Sequence, residues 1–198
     1  RVIKTPKNTN TEIGIASFIL KTDFTSIDIF VVEMGAYKMG EIKMICDMVK
    51  PSIGVLTAIT YQHLSLFGDI TRTQKAKYEL LRSLPVNGLA VVNIDNKYCR
   101  EFLSELQINI ATFGVSNDFS PTCLIKDVTT SADGITCSGL INNKIWNLIA
   151  PLVGAHNAIN LAPCLLIAHH LGMTDEEITE QCKTLELPDK TMKIYHYG

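Results

Sequence analysis

Apolar and polar positions along the chain switch between a helical period and short continuous runs, and that switching predicts its elements. Residues 12–21 carry Ile13, Ala16, Ser17 and Leu20 at helical spacing, which predicts a helix with those four near one face. Residues 27–32 form a short, nearly continuous apolar run, the pattern of a strand buried on both faces. A helix over 40–49 follows and is stopped by Pro51. Next come a second buried strand at 53–57 and a long amphipathic helix over 70–84, stopped by Pro85. Residues 89–93 read as a third strand, 96–106 as a helix and 108–113 as a fourth strand. Strand and helix in alternation, with short connections, predict a parallel sheet covered by helices.

The pattern then changes. Residues 122–129, 134–140 and 144–149 are strand-like, with turn signals at Ser131-Ala132-Asp133-Gly134 and Asn142-Asn143. They predict an antiparallel meander joined to the parallel sheet. Two helices follow, over 157–171 and 175–184. Thr174 stands three residues before Glu177, the spacing of a capping box, and Pro188 closes the second helix. The expected fold class is therefore α/β: a mostly parallel sheet flanked by helices, with an antiparallel β-meander.

Composition narrows the function classes. The 198 residues are 46% apolar and 19% charged, enough for a sizeable core without staples. Eighteen Lys and Arg against twenty Asp and Glu give a net charge of −2, so no basic excess points to nucleic acid. No apolar run approaches 18 residues, which argues against a membrane span, and the start, Arg1-Val2-Ile3-Lys4-Thr5-Pro6-Lys7, lacks the apolar core of a signal peptide. The six cysteines are scattered without a CxxC pair, which reads as reduced core thiols in a cytoplasmic protein. A chain beginning with Arg rather than Met is expected to be an internal piece of a longer one.

Four features could carry chemistry. Glu33, in Val32-Glu33-Met34-Gly35-Ala36, follows a predicted strand, and carboxyl ends of strands face the ligand crevice in open α/β sheets. A carboxylate there suits Mg²⁺ beside a phosphate, and it equally suits a loop acid or a helix cap. His63, in Thr57-Ala58-Ile59-Thr60-Tyr61-Gln62-His63-Leu64, also lies just past a strand end and reads as a ligand or as hydrogen-bonded scaffolding. Lys75 and Lys77 cannot share a helix face, so at most one points inward; the other reading makes both surface lysines. In Gly154-Ala155-His156-Asn157-Ala158-Ile159-Asn160, the two asparagines are three apart on one face. Their amides offer the donor and acceptor an adenine edge needs, or else supply an N-cap and a buried polar group.

The order of these motifs resembles the central ATPase domain of the Mur ligase family. Residues 5–14 match T-P-x-N-x-N-x-E-I-G, 33–36 match E-M-G-A with G-E-I at 40–42, and 57–68 match T-x-I-x-x-x-H-L-x-x-F-G. A-K-x-E-L at 76–80, N-x-D at 93–95 and G-x-H-N-x-x-N at 154–160 follow in order. Within the family the match favours the branch that joins D-alanyl-D-alanine to a UDP-sugar tripeptide. The resemblance implies a ligase of peptidoglycan precursor synthesis that uses ATP to make an acyl phosphate, which an amine then attacks. It implies Glu33 as a Mg²⁺ ligand, His63 at a second Mg²⁺, and Lys77 as a lysine carbamylated by CO₂. It places His156, Asn157 and Asn160 on the adenine side of ATP, and Thr5, Asn8 and Asn10 on the UDP-sugar-peptide side. Asn93 and Asp95 are expected to be strand-end structure.

The family's Gly-rich phosphate loop ending in G-K-[ST] does not occur in these residues, Ala58 replaces a common Asn, and Asp189-Lys190-Thr191-Met192 replaces Gly/Ser-Arg-Met. The expectation is that 1–198 is a middle domain lacking its N-terminal phosphate-loop segment, with UDP-binding and C-terminal ligase domains elsewhere in the parent, and that this piece alone is inactive. The alternatives are a folylpolyglutamate or cyanophycin synthetase-like ligase, or a non-catalytic scaffold that lost the loop.

Overall fold

The computed structural model describes residues 1–61 and 69–186. His63 and most of the motif around it, together with Pro188, Lys190 and Lys193, lie outside the described residues. In chain order the elements are β1 (Val2–Lys4), α1 (Glu12–Lys21), β2 (Ile29–Val31), α2 (Glu41–Val49), β3 (Ile53–Leu56), α3 (Ile70–Arg82), β4 (Leu89–Asn93), α4 (Lys97–Arg100), β5 (Asn109–Gly114), β6 (Cys123–Ser131), β7 (Gly134–Ile141), β8 (Lys144–Ala150), α5 (His156–His170) and α6 (Asp175–Lys183). Short 3₁₀ turns occupy Leu103–Glu105 and Asn117–Phe119. Among the described residues two sheets form: β1 with β2, and a mixed sheet in the order β3-β4-β5-β6-β7-β8. The α/β architecture with its meander is as expected. Among the described residues no helix is long and apolar enough to cross a membrane.

Two compact units divide the chain. The first comprises Arg1–Gly54, Ala58–Ala90 and Phe102–Asn109. There β1 and β2 pair in parallel, Val2 opposite Ile29 and Lys4 opposite Val31, and the Thr5 N–H extends the ladder to the Val31 carbonyl at 3.0 Å. This corrects the reading of 27–32 as a strand buried on both faces: Ile29 and Phe30 are half-buried and Val31 is 53% exposed. The face expected for α1 is also corrected. Ile15 is the fully buried residue, while Ile13 and Leu20 are 76% and 87% exposed. Apolar side chains surround that helix, so its own pattern fixes no phase; stacking of Phe18 on Phe30, ring centroids 5.8 Å apart, accompanies the rotation it adopts. Helix α2 packs against both α1 and α3, and a Cβ on Gly54 of β3 would sit 3.1–3.2 Å from Leu80, Leu81 and Leu84.

The helix expected over 96–106 is interrupted. It leaves helical geometry at Phe102, φ −103°, ψ 12°, where the ring packs edge-on to Tyr78 at 5.3 Å and under the Arg82 guanidinium at 5.5 Å.

The second unit comprises Val55–Thr57, Val91–Glu101 and the chain from Ile110 onward. Here β5 and β6 pair in parallel, and β6-β7-β8 form the expected antiparallel meander. Asn142 and Asn143 turn the β7–β8 hairpin with φ of 49° and 65°, a left-handed pair that asparagine tolerates well. Helix α5 packs on β6 and β7, and α6 on β8. Thr174 and Glu177 make the capping box that their spacing predicts. All six cysteines are free thiols; Cys46, Cys99, Cys123, Cys137 and Cys182 are buried and Cys164 is exposed.

Candidate functional site

Glu33 stands two residues beyond the carboxyl end of β2, exposed, where an acid can meet a ligand. Its surroundings come from the loop between β1 and α1. The Asn10 side-chain amide donates to Glu33 Oε1 at 3.3 Å, and the Gly35 N–H donates to the Asn10 carbonyl at 2.7 Å. A Cβ on Gly35 would approach the Asn10 amide to 3.2 Å, so glycine permits this closeness. Thr5, 8% exposed, accepts from the Glu33 N–H through Oγ1 at 3.3 Å. Among the described residues no donor reaches Glu33 Oε2. Asn8, with φ 64°, lies in the turn where the Thr9 N–H meets the Pro6 carbonyl. Thr11 then caps α1 by accepting from the Gly14 N–H at 3.3 Å. Thr5 and Asn10 are thus gathered at Glu33, and Asn8 belongs to the turn between them.

Helix α3 settles which lysine points inward. Lys77 falls four residues after Thr73, three after Gln74 and four before Leu81, all buried, and is itself half-buried; Lys75 is exposed. Among the described residues no hydrogen bond or ion pair joins Lys77 to Glu33, and no cluster of three or more His, Cys, Asp or Glu could hold a metal ion.

Two further acids do work to which the sequence reading gave no role. Glu41 Oε2 accepts from the N–H groups of Tyr37 and Lys38 at 2.6 and 3.0 Å. Glu79, two residues past Lys77, accepts from the N–H groups of Gly40 and Lys43 at 2.7 and 3.0 Å. The only signal for either was its place inside the G-E-I and A-K-x-E-L motifs.

In the second unit, α5 begins at His156 after Ala155, which offers no side-chain cap. Asn157 is therefore not the N-cap: its amide reaches back to the Val153 carbonyl at 2.8 Å. The Asn160 amide donates to Asn157 Oδ1 at 3.4 Å, so the two share a face as their spacing requires. His156 and Asn160 are exposed and Asn157 half-buried. Asn93 and Asp95 are strand-end structure: Asn93 donates to the Thr57 carbonyl at 2.9 Å and accepts from the Asp95 N–H at 3.1 Å.

These features define an α/β domain with a mixed sheet, a terminal β-meander and an acid braced just past a strand end. The chain belongs to the Mur ligase middle domain family, whose model matches residues 1–168. It is 31% identical over all 198 residues to UDP-N-acetylmuramoyl-tripeptide–D-alanyl-D-alanine ligase of Synechocystis, spanning 40% of that relative's length. It is 32% identical over 137 residues, 69% of this chain and 28% of the relative, to UDP-N-acetylmuramoyl-L-alanyl-D-glutamate–2,6-diaminopimelate ligase of Chlamydia caviae. The crystal structure of MurF ligase from Thermotoga maritima in complex with ADP superposes with a TM-score of 0.83 at 24% identity, covering 98% of this chain and 44% of that one.

Proposed function

We propose that these residues are the ATP-binding middle part of an amide-bond ligase of peptidoglycan precursor synthesis, which joins D-alanyl-D-alanine to UDP-N-acetylmuramoyl-tripeptide. What carries the reading is the meeting of Thr5, Asn10 and Glu33 in a chain whose relative from Synechocystis bears that activity in its name. In the reaction the γ-phosphoryl group passes from ATP to the substrate carboxylate, releasing ADP. The dipeptide amine then attacks the acyl carbon and phosphate leaves.

The donors present fit Mg²⁺. It favours hard oxygen ligands and is commonly held by one or two carboxylates together with substrate phosphates, and Glu33 offers an exposed carboxylate with Asn10 fixing one oxygen. Glu33 would hold the ion, which would supply neutralisation of phosphate charge there. Thr5 and Asn10 orient Glu33 from the loop that would also face the UDP-sugar peptide. Lys77, on the inner face of α3, is the candidate for carbamylation by CO₂, which requires its neutral amine and yields an oxygen-bearing anion. Asn160 is exposed, and its Oδ1 and second amide hydrogen suit the adenine edge, while Asn157 supports it from the same helix face through Oδ1.

The test is product formation by the full-length polypeptide that carries these residues, followed by mass spectrometry. With ATP, UDP-N-acetylmuramoyl-tripeptide and D-alanyl-D-alanine the expected result is a dipeptide-extended product. Diaminopimelate with the corresponding dipeptide precursor should give none. Product in the second arm alone would reassign the substrate, and product in neither would overturn the ligase reading.

A further inference from the structure

Helix α2 starts without a cap of its own. Gly40, the N-cap residue, has φ +92° and no side chain, so the first-turn N–H groups need an acceptor from elsewhere. Glu79 of α3 provides it. One carboxylate oxygen takes the Gly40 N–H at 2.7 Å and the other takes the Lys43 N–H at 3.0 Å. In a local capping box those two bonds are made by two different side chains of the same helix. Here a single acid from a neighbouring helix makes both, and its negative charge sits at the positive end of the α2 dipole.

The consequence reaches Glu33, because residues 34–40 are the segment that leads from that acid into α2. At its start Gly35 is tied to Asn10. Midway, Tyr37 and Lys38 are tied to Glu41, which lies in the first turn of α2. At its end Gly40 and Lys43 are tied to Glu79. Glu41 can hold Tyr37 and Lys38 in place only while the first turn of α2 is formed, and Glu79 is what stops that turn from fraying. We propose that Glu79 is a positioning residue for Glu33: by capping α2 from α3 it fixes the segment of residues 34–40 and so the setting of the Glu33 carboxylate. This rests on the ligand role given to Glu33 above.

Replacing Glu79 by Gln keeps the shape but turns one oxygen into a donor facing an N–H group. The buried Ile42, Ile45 and Cys46 still anchor the body of α2, so the damage should stay local. Two readouts test this in the full-length polypeptide. Amide hydrogen exchange should quicken across residues 35–44 in E79Q while α5 and α6 keep their protection. The Mg²⁺ concentration for half-maximal phosphate release should rise about tenfold, the scale of losing a group that orients a metal ligand. Excess Mg²⁺ should restore kcat, and the KM for D-alanyl-D-alanine should not move. Glu79→Asp, which keeps the charge but shortens the reach, should give a smaller shift of the same sign and serves if E79Q does not fold. Unchanged exchange overturns the proposal, as does quickened exchange with an unmoved Mg²⁺ midpoint, which would make Glu79 a structural cap alone. A wild-type polypeptide that releases no phosphate would instead overturn the ligase reading and the proposal with it, so the two failures are told apart by which protein shows them.

Discussion

Asp95 shows how much a single side chain can organise. Its carboxylate accepts from the Val115 N–H at 2.6 Å and the Ser116 N–H at 3.3 Å, while Arg100 donates to the carbonyls of Ile94 and Asp95 at 2.8 and 3.0 Å. A Cβ on Gly114 would fall 2.7 Å from the Asp95 oxygens, so that glycine leaves room for the carboxylate. Asp95→Ala leaves two backbone donors without their acceptor and should lower stability by about 1–3 kcal/mol in urea unfolding. An unchanged midpoint would show that water replaces the carboxylate fully. The cysteines make a second residue-level case. Burial pushes Cys123 from the ordinary 9.0 up to about 12 and Cys137 up to about 11. Both stay protonated in the folded protein while the unfolded chain ionises near 9, so stability is full below about pH 9 and falls as pH climbs towards 12. Thermal unfolding followed from pH 8 to 11 should show that decline, and the same melts with Cys123→Ala should show less of it. At this scale the sequence was informative where a residue's role depends on its near neighbours. Asn93 and Asp95 read as strand-end structure from position, and helix periodicity restricted Lys75 and Lys77 to one inward side chain. The contact between Asn10 and Glu33 was not legible, because 23 residues separate them and only the pairing of β1 with β2 brings them together.

Elements were legible where their signals are local. The α6 box is complete, with the Thr174 N–H donating to Glu177 Oε2 at 2.8 Å and the Glu177 N–H donating to Thr174 Oγ1 at 3.2 Å. Thr174→Ala should therefore cost about 1 kcal/mol, read as a shifted denaturation midpoint, whereas Thr174→Ser should be nearly neutral. The meander was legible for the same reason: alternating runs bounded by Ser131–Gly134 and Asn142–Asn143 carry their own turn chemistry. Tertiary partners decided the rest. Strand β1 is three residues long and has no pattern to detect, yet among the described residues it is the strand that β2 pairs with. The rotation of α1 goes with the stacking of Phe18 on Phe30, and the break after α4 falls where Phe102 packs on Tyr78. Glu79 belongs here too: a glycine at the N-cap offers no side-chain acceptor, and nothing local to α2 tells whether water or another element meets its first N–H groups.

For the molecule as a whole, the order of motifs was the legible part, since six short patterns in sequence placed nearly the full chain in one family although none is specific alone. Substrate choice is less legible. The relatives from Synechocystis and Chlamydia caviae differ in the amino acid their names specify while matching this chain at 31% and 32%, so identity over these residues does not separate the two substrates. In the function proposed above, Glu33, braced by Asn10 and Thr5, would hold Mg²⁺ for ATP-driven amide formation. The most direct test of that claim is a Mg²⁺ titration of phosphate release by the full-length polypeptide, wild type against Glu33→Gln, with ATP, UDP-N-acetylmuramoyl-tripeptide and D-alanyl-D-alanine present. The expected result is release that requires both acceptor substrates, a rate about 100-fold lower in the variant and a Mg²⁺ midpoint moved upward. A variant with the wild-type rate and the wild-type midpoint would contradict the claim.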